Sequence, residues 1–171
     1  MPSATTDKIL DAAERRARMG GYNGFSFRDL AEDVGVKSAS VHHHFPTKEV
    51  LMARLAARYT ERFMEALAEA SPREGAVPAM RRLFRASLEA DNQMCLCGML
   101  AAESAVLPAP VVTETRRFFE RLIEALAGPD ADSETREKAL KVVARLEGAL
   151  LTARVLGDMS AFDAATADLA A

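Results

Sequence analysis

The sequence predicts an all-α protein, and three observations support this prediction. Apolar residues make up 49% of the 171 residues, which is typical of a globular chain rather than a disordered one. Alanine, leucine, arginine and glutamate are abundant and tryptophan is absent, which favours helices over sheets. Apolar residues also recur at helical spacing over most of the chain. A chain of this length can bury a substantial core, so we expect one or two small helical domains.

Residues 6–19 form the first predicted helix. Its apolar positions recur at helical spacing: Ile9, Leu10, Ala13 and Ala17. Asp7 lies in the first turn and several arginines lie near the end, which is the charge placement that a helix dipole favours. Glycines at positions 20, 21 and 24 follow, so we expect the helix to end there.

Residues 25–48 predict two short helices joined by a tight turn. Ser26 stands three residues before Asp29 and ahead of apolar positions, a spacing that is typical of a capping box at a helix start. Gly35 can adopt the left-handed conformation that ends a helix. Because the connection is too short for antiparallel helices, the two helices must cross at a steep angle, as in a helix-turn-helix.

The second helix of this pair begins near Lys37 or Ser38 and precedes a proline at position 46. Val41 is expected to be buried against the first helix, which leaves the other side exposed. That side carries hydrogen-bond donors and small groups: Lys37, Ser38, Ser40, His43 and His44. A short protruding helix of this kind can enter a DNA major groove with its N-terminal residues at the base edges.

This segment resembles the DNA-binding domain of the TetR family of bacterial transcriptional regulators. The matching residues are Gly24, Ser26, Arg28, Leu30, Ala31, Gly35, Val36, His44, Phe45, Lys48 and Glu49. The family usually has Ser or Thr where Lys37 stands, and Tyr where His42 stands. With the first helix as support, the resemblance covers roughly the first third of the chain. It implies an N-terminal three-helix helix-turn-helix DNA-binding domain and a C-terminal helical ligand-binding and dimerisation domain.

The resemblance also implies contacts with double-stranded operator DNA. The expected DNA-binding residues are Ser26, Arg28, Lys37, Ser38, Ala39, Ser40, His42, His43, His44 and Lys48. Ser26 would cap its helix and guide a phosphate to the helix N-terminus, and Arg28 and Lys48 would contact phosphates. Residues 37–40 are the expected base readers. The three histidines would contact phosphate, base or sugar, with packing of one of them against the first helix as the alternative.

Two groups of residues could suggest metal binding. Successive helical residues point about 100° apart, so the three histidines cannot share one ion, and no metal or cofactor is predicted. Cys95 and Cys97, two residues apart, would point about 200° from each other on a helix. Beside Met94 and Met99, they fit core packing, with a thiolate sensor for metal or oxidant as the alternative.

The remaining apolar pattern predicts longer helices. We place the DNA-binding domain at residues 1–48 and the helical effector-binding and dimerisation domain at residues 49–171. The pattern predicts helices capped by Thr47 and running to Ala70, from Val77 to Gln93, from Met94 to Leu107, from Val111 to Ala127, and from Glu134 to Leu156 with Ser133 as its N-cap.

The last helix predicts a homodimer. Its apolar residues spread over more than one stripe, although a helix that faces a single core needs only one. Gly148 in its middle costs about 1 kcal/mol relative to alanine unless another backbone approaches closely there. We therefore expect this helix and residues 111–127 to form a four-helix interface with a second copy of the chain. Burial inside one monomer core is the alternative.

The C-terminal domain is expected to enclose an effector pocket. The candidate lining residues are Met64, Phe84, Leu88, Met99, Glu103 and Phe119. The methionine and phenylalanine side chains suggest an apolar effector. Glu103 is a charge within an apolar stretch, and we expect it either to pair with an arginine or to orient a ligand.

These features lead to one function and one alternative. All three histidines lie in the second short helix, so a Ser-His-Asp or Cys-His arrangement elsewhere is not expected and the protein is predicted not to be an enzyme. No secretory signal or membrane span is recognised, which suggests the cytoplasm. We predict a transcriptional repressor that a small-molecule effector releases from its operator. The alternative is a helical small-molecule-binding protein or enzyme with a degenerate helix-turn-helix.

Overall fold

The structure, a computed structural model, describes residues 4–91 and 93–169, with the backbone alone at residues 90 and 91. Every regular element in this part of the chain is helical, which confirms the predicted fold class. The α-helices are α1 (Ala4–Gly20), α2 (Phe27–Val34), α3 (Ser38–His44), α4 (Lys48–Glu74), α5 (Ala76–Asp91), α6 (Leu96–Ala102), α7 (Ala109–Ala127), α8 (Ser133–Leu156) and α9 (Met159–Ala165), and a 3-10 helix follows at Ala167–Leu169.

The chain forms two compact units. The first contains the described residues up to Tyr59 together with Leu96–Arg116, and the second contains the described residues of 60–95 and 117–171. Helices α4 and α7 contribute residues to both units. The functional division between residues 48 and 49 follows a different criterion and stays a prediction.

The core of the first unit holds the helix-turn-helix on α1 and the start of α4. Its fully buried side chains come from each of these elements: Ile9 from α1, Leu30 from α2, Val41 from α3, and Leu51 and Leu55 from α4. A buried leucine or valine side chain stabilises the fold by about 1.5–3 kcal/mol. The short helices α2 and α3, which would not be stable alone in water, therefore depend on this shared core.

Local sequence signals set the ends of α2 as expected. Ser26 is the N-cap, and a capping box with Asp29 is present. At the other end, Gly35 adopts a left-handed φ of 73°. The N–H of Val36 donates to the carbonyl of Ala31 at 2.9 Å, and the N–H of Gly35 donates to that of Glu32 at 3.2 Å. This is a Schellman motif, in which the helix end satisfies its own carbonyls.

Helix α4 is longer than predicted. It continues through Pro72 to Glu74, and Gly75, with a φ of 88°, ends it. Pro72 stands near the C-terminal end, where it interrupts few of the helix hydrogen bonds. Pro78 lies in the first turn of α5, where its missing N–H would have no partner within the helix. The glycine therefore separates the two helices, and the prolines do not.

Two other predictions differ from the structure, and one further helix is not predicted. Helix α6 ends at Ala102 rather than Leu107, and turns follow it. The N-cap of α8 is Asp132 rather than Ser133, because the Asp132 carboxylate accepts the N–H of Thr135 at 2.8 Å. Helix α9 was not predicted. It begins at Asp158, whose side chain accepts the N–H of Ser160, directly after the left-handed Gly157 that ends α8.

In the second unit, α8 packs against α5 and α9. Phe162 of α9 is fully buried, and Arg81 and Arg85 of α5 both donate to the carboxylate of Asp163 on α9. These hydrogen bonds hold the Asp163 pKa below its usual value. No helix in residues 4–91 and 93–169 combines the length and apolarity needed to cross a membrane.

Candidate nucleic-acid interface

Helix α3 is anchored on one side and open on the other. Val41 and, just after the helix, Phe45 are fully buried. Lys37, Ser38 and Ala39 are exposed at the N-terminal end, and Ser40 is half-buried. The residues predicted to read bases therefore lie together around the first turn of a helix whose apolar side is held by the core.

Ser26 and Arg28 lie at the start of α2. The Ser26 hydroxyl donates to the Asp29 carboxylate at 2.8 Å and accepts the Asp29 N–H at 3.3 Å. These hydrogen bonds from Ser26 hold the Asp29 pKa below its usual value, so this carboxylate is ionised at neutral pH. Arg28 is exposed. The capping role of Ser26 is confirmed, and its contact with a phosphate stays a prediction.

The three histidines have three different environments. His42 is exposed, with its ring edge against Phe27 at 4.7 Å between centroids. His43 is exposed. His44 is half-buried, and its Nδ1 lies 3.1 Å from the hydroxyl of Thr6 on α1. His44 is thus the histidine that packs against the first helix, and a phosphate contact by this residue would have to use its other ring nitrogen.

Lys48, the first residue of α4, holds the loop before α2. Its ammonium group donates to the carbonyl of Phe25 and lies 4.3 Å from the centroid of the Phe25 ring and 5.1 Å from that of Tyr22. Burial lowers the Lys48 pKa, and the carboxylates of Asp29 and Glu103 partly offset this effect. Lys48 therefore has a structural role in this unit, and the DNA contacts predicted for Lys48, Arg28 and Lys37 stay predictions.

The predicted effector residues do not come together in one unit. Met99 and Glu103 belong to the first unit, and the other four belong to the second. There, Phe84 and Phe119 are the ends of a row of four rings that also contains Phe63 and Phe118, with neighbouring centroids 5.4–5.6 Å apart. The half-buried Met64 is next to Phe63 in the chain. Leu88 lines a separate recess with Ala153, Gly157, Asp158 and Met159.

Glu103 contacts a backbone amide rather than an arginine among the described residues, and its role in orienting a ligand stays a prediction. Its carboxylate accepts the backbone N–H of Tyr22 at 3.0 Å, so it is bound to the loop that follows α1. The sequence signal, a charged residue in an apolar stretch, identified an unusual residue but not its partner, which is 81 positions away.

Glu147 of α8 is not among the residues predicted from the sequence. One carboxylate oxygen, Oε1, is buried without a hydrogen-bond partner among the described residues. Burial raises the Glu147 pKa to about 7, and a hydrogen bond from the thiol of Cys95 opposes part of this rise. Cys95 and Cys97 are both buried, as the core-packing interpretation expects. A charge between buried Leu146 and Leu150 was the available signal for Glu147.

Comparisons with known proteins identify the family. The bacterial regulatory proteins of the tetR family match at residues 9–55. A TetR transcriptional regulator from Legionella pneumophila is 32% identical, with 98% of this chain and 96% of that chain covered and a TM-score of 0.88. The HTH-type transcriptional regulator YxaF from Bacillus subtilis is 27% identical over 67% of this chain. The HTH-type transcriptional repressor AcnR from Corynebacterium diphtheriae is 37% identical over 48% of this chain.

The chain spans 63% of the length of YxaF and 41% of the length of AcnR. The likeness to the Legionella regulator instead extends over nearly the whole of both chains. It includes the N-terminal helix-turn-helix and the helical C-terminal part, and all of these relatives are regulators rather than enzymes. This chain therefore belongs to the TetR family of bacterial transcriptional regulators.

Proposed function

We propose that this TetR-family regulator is a homodimeric repressor that binds operator DNA and is released from it by a small-molecule effector. The observation that carries the DNA-binding part is helix α3, which is held by fully buried Val41 and exposes Lys37, Ser38 and Ala39. An exposed N-terminal turn with a cation and small polar groups suits the edges of bases in a major groove. The repressor activity of AcnR supports the direction of regulation.

Helix α8 supports the homodimer. Its exposed apolar side chains include Leu140, Leu151 and Val155, with exposed fractions of 51%, 54% and 79%. At about 100° per residue, these three lie within about 60° of one another around the helix axis. Ala144 and Gly148 lie in or beside the same sector, and both are exposed. A stripe of large and small apolar residues is suited to packing against another helix.

Gly148 supports the proposal that the helix packed on this stripe belongs to a second copy of the chain. Apart from Gly148 itself, its chain neighbours and the nearby backbone of α8, no described residue has an atom within 4 Å of the position where a Cβ would be at Gly148. The structure of one chain therefore offers no close approach to compensate for the cost of a glycine within a helix, about 1 kcal/mol. A second copy packed on the α8 stripe would supply the approach. The half-buried Phe119, Ile123 and Leu126 of α7 would extend the same interface.

The effector is proposed to bind in the second unit. Phe119 is a half-buried member of the row of phenylalanine rings, and the half-buried Met64 follows Phe63 of this row in the chain. Apolar side chains of this kind line most small-molecule sites. Helix α4 contains residues of both units, so a ligand that shifts its C-terminal part would also act on its start at Lys48. The proposed release follows if the effector binds better to the conformation that fits DNA poorly.

The experiment is selection of bound sequences from a random DNA pool with the purified protein, followed by affinity measurements at several salt concentrations. We expect a palindromic sequence to be enriched. Arg28→Ala should weaken binding to all sequences alike and reduce the salt slope by about one, because one phosphate contact is lost. Lys138→Ala is the control, since this exposed lysine pairs with Glu134 on α8, and it should change neither quantity. A protein that enriches no sequence would support the degenerate helix-turn-helix instead.

A further inference from the structure

The carboxylate of Glu103 joins the end of α6 to the first loop of the DNA-reading head. Helix α6 packs against α1 within the first unit, and Glu103 is the first residue after it. From there, Glu103 Oε2 accepts the N–H of Tyr22 at 3.0 Å. Tyr22 is in the short loop between α1 and α2, four residues before the Ser26 N-cap. A residue outside the helix-turn-helix thus holds the segment from which α2 begins.

The hydrogen bond from Tyr22 to Glu103 takes the place of a hydrogen bond that would close a Schellman motif at the end of α1. At the end of α2, the second amide after the helix, that of Val36, donates back to Ala31 and closes a Schellman motif. At the end of α1, Gly21 donates to the carbonyl of Ala17 at 2.9 Å, but the next amide, that of Tyr22, donates to Glu103. The α1 end therefore has the simpler left-handed motif. The Tyr22 amide, which would complete a Schellman motif, instead donates to Glu103 just after α6.

Gly21 makes room for the carboxylate. A Cβ at this position would lie 1.9 Å from Glu103 Oε1, which no side chain could tolerate without displacing Glu103. The φ of Gly21 is 69°, so glycine also suits the backbone conformation. From the other side, Lys48 donates to Phe25 in the same loop. Residues 21–25 are thus held by Glu103 from α6 and by Lys48 from α4.

Helix electrostatics do not favour a carboxylate here. Glu103 directly follows the C-terminal end of α6, and its carboxylate contacts the amide just beyond the C-terminal end of α1. Negative charge is favourable at helix N-termini and unfavourable at C-termini. The positive charge of Lys48 interacts with Glu103 and offsets part of this cost. An uncharged oxygen acceptor could also satisfy the Tyr22 amide, so the role of Glu103 proposed below depends on this hydrogen bond and not on the charge.

We propose that Glu103 is a positioning residue for DNA binding, which couples α6 to the loop before α2 through the Tyr22 amide. The inference rests on the proposed function as a DNA-binding regulator. When the contact is made, the loop and α2 are held in the conformation that reads DNA. When α6 shifts, the contact is lost, the competent conformation is a smaller fraction of the population, and the apparent affinity falls by that fraction.

The test measures affinity for the selected DNA at one salt concentration, with amide hydrogen exchange at Tyr22. Glu103→Ala should weaken binding by roughly tenfold, which is the equilibrium factor for one lost hydrogen bond to a charged acceptor, and should speed exchange at Tyr22. Glu103→Gln keeps an oxygen acceptor, so its affinity should stay within about threefold of wild type. Glu103→Asp keeps the charge but is one methylene shorter, and it should behave like Glu103→Ala.

The control is Glu65→Ala, which removes an exposed carboxylate of α4. Loss of a negative charge alone should leave DNA affinity unchanged or raise it, whereas the proposed contact predicts a fall in affinity for Glu103→Ala. If Glu103→Ala does not fold, Glu103→Asp decides. Wild-type affinity in Glu103→Asp, or unchanged exchange at Tyr22, would overturn this inference alone. Wild-type protein that binds no DNA would overturn the proposed function as well.

Discussion

Single residues in this protein show how burial, rather than residue type, decides a chemical role. Glu103 and Glu147 are both glutamates within apolar stretches, and the sequence does not distinguish them. Glu103 is hydrogen-bonded to a backbone amide, whereas Glu147 keeps one buried oxygen without a partner among the described residues. Unsatisfied buried oxygens cost about 1–3 kcal/mol. The folded protein therefore favours the neutral form of Glu147.

The Glu147 pKa predicts how stability depends on pH. The folded-state pKa, about 7, is above the ordinary value of 4.5, so the folded protein holds a proton that the unfolded chain releases. This contribution is fully present below the ordinary pKa and is lost as pH rises through 7. The free energy of unfolding should therefore fall by about 1 kcal/mol between pH 6 and pH 8.5. Urea denaturation at the two pH values measures the change.

Glu147→Gln is the matched variant for this prediction. It has nearly the same shape and no titrating proton, so its free energy of unfolding should be nearly constant between pH 6 and pH 8.5. The carboxylates with lowered pKa values, such as Asp163, titrate well below this window and do not contribute. An equal loss of stability in wild type and Glu147→Gln would show that another group is responsible.

At the scale of elements, the sequence predicts helix ends correctly where they depend only on neighbouring residues. The capping box at Ser26 and the turn at Gly35 are examples, because each depends on backbone conformation within one turn of helix. The prediction that α4 ends at Ala70 was wrong, because the helix continues through Pro72, and a position near the helix end tolerates proline. The sequence also did not predict α9, because this short helix depends on Phe162 being buried and on Asp163 pairing with Arg81 and Arg85.

The candidate site was likewise predictable where it depends on local sequence and not where it depends on tertiary contacts. The exposed turn of α3 follows from the helical pattern, since buried Val41 determines which residues point outward. The helical pattern does not predict the environments of His44 and Lys48. Their partners, Thr6 and Phe25, are distant in the sequence and come close only in the folded chain. The sequence indicates only the chemistry of the effector residues, whereas tertiary contacts determine which of them share a unit, and the structure divides them between two units.

A substitution in helix α8 tests the proposed dimer interface. Leu151→Glu places a charge in the stripe formed by Leu140, Ala144, Gly148, Leu151 and Val155, and burying an unpaired charge at an interface costs several kcal/mol. We expect wild type to be a dimer and this variant to be a monomer in sedimentation equilibrium at micromolar concentration. Leu156→Glu is the control, since Leu156 is also exposed (64%) but points about 80° or more away from every residue of the stripe. It should remain dimeric, and a wild-type monomer would contradict the interface.

At the scale of the whole molecule, the proposed dimer would raise the specificity of DNA binding. Each copy of α3 has few groups that distinguish bases, because Ser38, Ala39 and Ser40 are small. Two copies of α3 in the proposed dimer would bind two half-sites, and the second binding event would be favoured by the high effective concentration that the first creates. The net charge of −3 gives no general attraction to DNA, so affinity depends on local positive charge and on this pairing.

This pairing predicts a strict dependence on operator spacing. Dimers of helix-turn-helix proteins contact half-sites about one helical turn, 34–36 Å, or a multiple of it apart. About five base pairs inserted at the centre of the selected operator rotate one half-site to the opposite face of the DNA, so the second head cannot bind. Affinity of the wild type should fall at least tenfold, because the multivalent gain is lost, and an insertion of about ten base pairs should harm binding less than one of five.

The Leu151→Glu monomer should bind all three operators with the same low affinity. Equal binding of the wild type to the original and the five-base-pair variant would mean that the two heads do not act together.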